Sequence, residues 1–187
     1  MPTGYQIKEQ DQAYYLTLRV VNWVDIFSRK VYRDIIIENL AYCQRNKGLE
    51  IFAYVIMSNH IHLLVRSSRD ELSNTIRDFK SYTAKEIFYQ IETGEESRRE
   101  WMMKVFQIAA SSHKRNAGRQ LWAHDNHAMH VYSEKYTKQK VNYIHQNPVR
   151  AGIVNNPEDY IYSSASNYAG ETGILNVIVL SFGWETI

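Results

Sequence analysis

The sequence predicts an α+β fold, a ferredoxin-like (RRM-like) antiparallel sheet with helices packed on it, and two observations carry this. Strand and helix patterns alternate in the order strand, helix, hairpin, helix, then a less regular stretch with further strand and helix character. The two halves of the hairpin are joined by a short polar turn, which makes the paired strands antiparallel. The first strand is Ala13 to Trp23, AYYLTLRVVNW, rich in aromatic and β-branched residues. Arg33 to Asn46 follows as a helix, with Ile36, Ile37, Leu40 and Cys43 at helical spacing and NKG as its stop signal. Leu49 to Val65 forms the hairpin, LEIFAYVIM and HIHLLVRS around the polar SN. Leu72 to Ile91 is a long amphipathic helix, with Asp70 or Ser73 as its expected cap. Between Gly94 and Ser133 the strand candidates are WMMKVFQIAA and HAMHVYS, and Thr137 to Ile153 begins a last helix that Pro148 disturbs or ends near Asn147.

The chain has 187 residues, 44% of them hydrophobic, and neither an internal repeat nor a Pro/Gly-rich linker breaks it. One domain over residues 1–187 is therefore expected, with a core at about 13–170 and a tail at 171–187 whose ILNVIVLSFGW forms an edge strand or a clamp over the core. No stretch approaches the ~20 apolar residues of a membrane helix, and residues 1–12 lack the apolar run of a signal peptide, so a cytoplasmic protein without membrane partners is expected. The single cysteine, Cys43, excludes an internal disulfide and a multi-cysteine zinc site. The net charge of +2 hides an asymmetry: Arg98 to Arg150 holds ten Lys/Arg against three Asp/Glu, the remainder twelve against seventeen. Such a segment is either a solvated face or a phosphate-binding surface.

Two of the seven histidines stand one residue apart in NHIHLLV. On a strand His60 and His62 share one face while Ile61 and Leu63 take the other, so two imidazoles stand side by side on rigid backbone. Neutral and oriented by other groups, such a pair can hold one metal ion. A bare pair is commonly structural, so the metal reading needs a third ligand and a reactive group. The last helix offers both in NYIHQNP: Tyr143 and Asn147 are spaced i and i+4 and share a helix face, with Gln146 as a reserve ligand. Alternatively Tyr143 packs with Val141, Ile144 and Val149, and Asn147 caps the helix before Pro148.

His60-Ile61-His62 resembles the histidine-hydrophobic-histidine motif of HUH single-strand nucleases. NYIHQNPVRAGIV followed by PEDYIYSSASNYAG is similar to the C-terminal signature of the REP-associated tyrosine transposases and their single-tyrosine (IS200-like) relatives. The likeness continues through FAYVIMSNHIHLLV, RDFKSYTAKEI and LWAHDNH and covers most of residues 13–170. By this resemblance His60, His62 and Asn147 are metal ligands and Tyr143 is the nucleophile. It implies a compact antiparallel sheet covered by helices, and relatives that act as monomers or dimers, so a homodimer is among the arrangements it allows. It also implies DNA partners, single-stranded or a short palindromic hairpin beside a single strand, and with them a nucleoid association.

Direct displacement at a phosphodiester needs a nucleophile, charge neutralisation on the phosphate and an in-line leaving oxygen. A tyrosine phenol, with an ordinary pKa of about 10, needs help to act as the first. A metal supplies the second; two imidazoles and an amide oxygen leave its shell open and suit Mg²⁺ or Mn²⁺. A 5′-phosphotyrosine with a free 3′-OH keeps the bond energy, so nicking and rejoining of single-stranded DNA, transposition or hairpin processing, is the expected activity. The DNA phosphates would then meet Arg98, Arg99, Lys104, Lys114, Arg115, Arg119, Lys135, Lys138 and Lys140, with His127 as a further contact. Tyr132, Tyr136 and Trp122 are available to stack bases, although core packing is the competing role for each. Three other readings stand beside this one: a zinc site at His124, His127 and His130, Tyr82 as the nucleophile with Glu86 at i+4, and a DNA-hairpin-binding protein that does not cleave.

Overall fold

The structure is a computed structural model that describes residues 6–111 and 118–182. Its sheet is built from β1 (Tyr14–Arg19), β2 (Leu49–Ile56), β3 (His60–Ser67) and β4 (Met129–His130) in the order β2-β3-β1-β4, every pair antiparallel. Helix α1 (Lys30–Lys47) connects β1 to β2, and α2 (Leu72–Thr93) and α3 (Arg99–Ser111) lie between β3 and β4. After β4 come α4 (Glu134–Arg150) and the short α5 (Ala165–Tyr168). This is the expected antiparallel sheet with covering helices.

The local chemistry of each element explains its limits. Helix α1 ends at Gly48, whose φ of 66° is the left-handed conformation that a helix end of this kind requires, and whose N–H donates to the Cys43 carbonyl. A Cβ there would meet Ser68 Oγ at 2.6 Å, so glycine is needed for space as well as for backbone. The first strand ends at Arg19, before the expected Trp23, because the backbone turns left-handed at Asn22 and Trp23 (φ 52° and 55°). Neither Asp70 nor Ser73 caps α2 with its side chain. The Glu71 N–H donates instead to Ser67 Oγ, and the Ser73 N–H donates to Gln10 Oε1 from far along the chain.

Two strand expectations are corrected. WMMKVFQIAA lies within α3, where Met102, Phe106 and Ala110 are buried at i, i+4 and i+8; a short apolar run fits either period, and the burial shows which one folding uses. HAMHVYS contributes only Met129 and His130 to the sheet. The last helix starts at Glu134, capped by Ser133 Oγ accepting from the Tyr136 N–H, and it runs through Pro148. Pro148 sits in the final turn, where the missing N–H forfeits one helical bond and the Ala151 and Ile153 N–H groups still close onto Asn147 and Pro148.

Alternation divides the sheet. Leu16, Leu18, Ile61 and Leu63 are fully buried and share one core with the apolar sides of α1 and α2. The other face carries Tyr15, Thr17, Arg19, His60 and His62, and α4 lies against β2 and β3 there, burying Val141, Ile144 and His145. The outer edge of β2 is covered by Tyr162–Ser164 and by the tail, where the Ile178 N–H donates to the Ile51 carbonyl. Leu175 is buried, and Tyr168 Oη donates to the Phe52 carbonyl while accepting from the Leu180 N–H. The tail is thus a clamp on an otherwise open strand edge. Cys43 is a buried free thiol, pushed up to about 11 by burial.

Candidate active site

The β1–β3 register places Thr17 opposite His62 and Arg19 opposite His60, so one strand supplies the imidazoles and its neighbour the hydroxyls that orient His62. The two imidazole centroids are 4.7 Å apart at 71°. His60 Nδ1 lies 2.7 Å from Asn59 Oδ1, and since an amide oxygen only accepts, Nδ1 carries the proton and Nε2 keeps its lone pair. His62 Nδ1 lies 2.7 Å from the Tyr15 hydroxyl and 3.0 Å from Thr17 Oγ1. With Nδ1–H donating to either hydroxyl oxygen, Nε2 of His62 is likewise free. Burial, followed by the charges of His60, Lys140, Arg150 and His127, holds His62 down to about 3. Burial and then the Arg19 guanidinium hold His60 below the ordinary imidazole range. Both rings are neutral at physiological pH, as metal ligands must be.

Tyr143 and Asn147 come to this face from α4. Tyr143 keeps 38% exposure, with its ring 5.4 Å from His62 and 6.2 Å edge-on to Tyr15. Asn147 Nδ2 donates to the Tyr143 carbonyl at 3.0 Å, which leaves Oδ1 as its ligand-type atom. Two cations flank the phenol: Arg150 Cζ is 4.6 Å from the Tyr143 ring centroid, and Lys140 Nζ is 5.9 Å from it while also 4.5 Å from Tyr15 and 5.0 Å from Tyr136. The chain therefore brings two neutral imidazoles, a phenol and two cations together on one side of the sheet, with Asn147 one helical turn beyond Tyr143 on the same helix face.

The basic residues expected to meet DNA are placed unequally. Arg98 binds Asp25 at 2.7 Å and Glu96 at 3.3 Å, Arg99 donates to the Gly94 carbonyl at 2.5 Å, and Arg119 pairs with Glu92, so these three are engaged by the protein itself. Lys104, Lys135 and Lys138 are exposed, and Lys114 and Arg115 lie outside the described residues. His127 adopts a positive φ of 44°, and its backbone N–H donates to Asp125 Oδ1. Trp122 is a core residue that donates to Thr83 Oγ1, whereas Tyr132 is 79% exposed and stacks on Tyr136. Tyr82 lines a groove between α1 and α2 with Tyr42 and Cys43, and Glu86 there accepts from Asn39. Among the described residues no group of three or more His, Cys, Asp or Glu side chains is arranged to hold a metal, which leaves the His124, His127, His130 zinc reading without support.

Tyr15, Thr17 and Arg19 escaped the sequence reading. The alternation of YYLTLR shows that the three share a face; which face required the pairing with a strand more than forty residues away.

Among the described residues no helix is long and apolar enough to cross a membrane. The solved structure of a REP-associated tyrosine transposase bound to a REP hairpin is similar to this chain over 99% of both chains, with a TM-score of 0.60 and 19% sequence identity, a likeness of fold. No curated protein matches the chain. The family model described as transposase IS200-like matches residues 10–107, which hold β1 to α2 and the histidine pair. The chain belongs to the IS200-like transposase family.

Proposed function

We propose that the protein nicks and rejoins single-stranded DNA through a covalent bond between Tyr143 and a 5′ phosphate, with Mg²⁺ or Mn²⁺ held by His60, His62 and Asn147. The observation that carries this reading is the packing of the Tyr143 ring on His62, beside His60, within one chain.

The residues present fit a divalent ion. Both imidazoles are neutral, each has its Nδ1 held by a neighbouring oxygen so that the Nε2 lone pair is left as a donor, and Asn147 Oδ1 would supply a hard oxygen. Bound there, the ion would neutralise charge on a phosphate oxygen and leave positions open for substrate. In the proposed step Tyr143 Oη forms a bond to phosphorus, the bond from phosphorus to the 3′ oxygen breaks, and that oxygen leaves as the 3′-OH after taking up a proton. The phenolic proton goes to solvent. In the reverse step a free 3′-OH attacks the phosphotyrosine and Tyr143 regains its proton, so strand transfer needs no ATP. Lys140 and Arg150, flanking the phenol, offset the charge that gathers on the phosphate.

The substrate class proposed is a DNA hairpin, such as a palindromic repeat, with an adjacent single strand. Family membership and the hairpin bound by the similar structure support this. The test is a panel of labelled hairpin oligonucleotides incubated with Mg²⁺ or Mn²⁺ and resolved under denaturing conditions. A covalent protein–DNA band that disappears with Tyr143→Phe supports the reading; a band that survives overturns the assignment of Tyr143. Tight binding without cleavage on every hairpin would make the protein a DNA-binding relative and not an enzyme.

A further inference from the structure

Helix α4 carries a stripe that runs past the nucleophile: Tyr136, Lys140, Tyr143, Asn147 and Arg150 follow one another at i, i+4, i+7, i+11 and i+14 and so share one helix face. Tyr132, just before the helix, continues this stripe by stacking on Tyr136 with centroids 5.8 Å apart and planes at 21°. Among the described residues Tyr132 is the most exposed of the large hydrophobic side chains, at 79%, and besides Tyr136 its ring meets His130 at 6.3 Å, outside the buried core cluster. Neither Lys140 nor Arg150 has a carboxylate partner among the described residues. Lys140 lies over three tyrosine rings, and among the described residues Arg150 hydrogen-bonds to the Tyr143 and Gln146 carbonyls. An aromatic stack with an exposed outer ring on a core-packed inner one, leading to cations without a carboxylate partner, is the pattern that takes a single-stranded nucleic acid, with rings for base faces and cationic groups for phosphates.

Resting on the reading of Tyr143 as nucleophile, we infer that Tyr132 and Tyr136 form a stacking platform for a base of the single strand next to the scissile phosphate, and that Lys140 holds a phosphate between platform and phenol. The geometry places Lys140 between the rings, 5.0 Å from the Tyr136 centroid and 5.9 Å from that of Tyr143, so a strand stacked on the platform reaches the phenol across the ammonium group. The platform grips the strand by a π face, which every base offers. It therefore adds affinity and sets the path of the strand without reading sequence.

The test measures binding with a chelator present, so that no cleavage step enters. Fluorescence anisotropy compares a labelled oligo(dT) with an abasic strand of the same length, on the full chain. Tyr132→Ala, at a solvent-exposed position, is expected to weaken oligo(dT) binding on the order of tenfold, Tyr132→Phe to restore it, and the abasic strand to bind wild type and Tyr132→Ala alike. Lys140→Gln is expected to weaken both strands and to lower the slope of log affinity against log salt by about one. A Tyr132→Ala protein that binds oligo(dT) as tightly as wild type, or loses as much on the abasic strand, overturns the platform; an unchanged salt slope in Lys140→Gln overturns the role of the lysine. The adduct assay is separate, so a platform that fails with adduct formation intact is distinguishable from a nucleophile assignment that fails with stacking intact.

Discussion

The two faces of the sheet obey different rules. Leu16, Leu18, Ile61 and Leu63 on one face are fully buried in the apolar core, whereas one residue away along the same strands Thr17, Arg19, His60 and His62 make hydrogen bonds, ring contacts and charge contacts. Pleating alone separates them, since successive side chains of a strand point to opposite sides. One face holds the chain together and the other is free to carry chemistry, so the same strand residues that anchor the fold also fix the imidazoles in place.

The sharpest way to separate the faces is to take the function from one without touching the other. Tyr143→Phe keeps the ring that packs on His62 and removes only the hydroxyl, so the covalent DNA adduct should vanish completely while the thermal midpoint stays within a degree or so. A variant that unfolds early would tie Tyr143 to stability instead. The converse change is Leu63→Ala, one residue from His62 on the buried face. It should cost about 2–5 kcal/mol in denaturant unfolding, with adduct yield per folded molecule unchanged. Activity lost out of proportion to folding would show that the faces are not separable.

How much of this was legible follows from the range over which each signal acts. The hairpin, α1 and α2 are written in local periodicity, and the His60–His62 pair follows from pleating over three residues. Tyr143 and Asn147 share a face by helix geometry alone. That helix lies beyond residues 10–107, where the family model matches, so the two halves of the site were joined by motif resemblance and then by packing. Features that depend on distant pairing stayed hidden. Tyr15 and Thr17 reach His62 through strand register, Gln10 serves the start of α2 from across the chain, and α3 reads as a strand until the burial of Met102, Phe106 and Ala110 reveals a helical period.

The hydroxyls behind His62 give an intermediate test. If they orient the ring so that Nε2 faces a metal ion, Thr17→Val combined with Tyr15→Phe should weaken Mn²⁺ binding about 10–100-fold by calorimetry, with each single change less damaging because the other hydroxyl remains. Unchanged affinity in the double variant would reduce these contacts to packing.

The smallest effect concerns the link between the two regions. Lys80 on α2, in the helical layer, donates to the Ala123 carbonyl at 2.7 Å and to Asn126 Oδ1 at 2.6 Å, tethering the segment that leads to His127 and β4. Burial, opposed by Asp125, pulls this ammonium down to about 8 from an ordinary 10.5. Between those two values the folded protein has given up the Lys80 proton while the unfolded chain still holds it, so the unfolded state binds more protons and stability rises with pH. Below pH 8 both states are protonated and the dependence disappears. The buried tyrosines titrate with the opposite sign above about pH 10, so the informative quantity is the difference between wild type and Lys80→Met, in which their contribution cancels. Denaturant midpoints should show that difference shifting in favour of wild type by about 1 kcal/mol per pH unit above pH 8. A flat difference between pH 8 and 10 would mean that Lys80 is solvated in solution and that the loop before β4 is not tied to the helical layer through it.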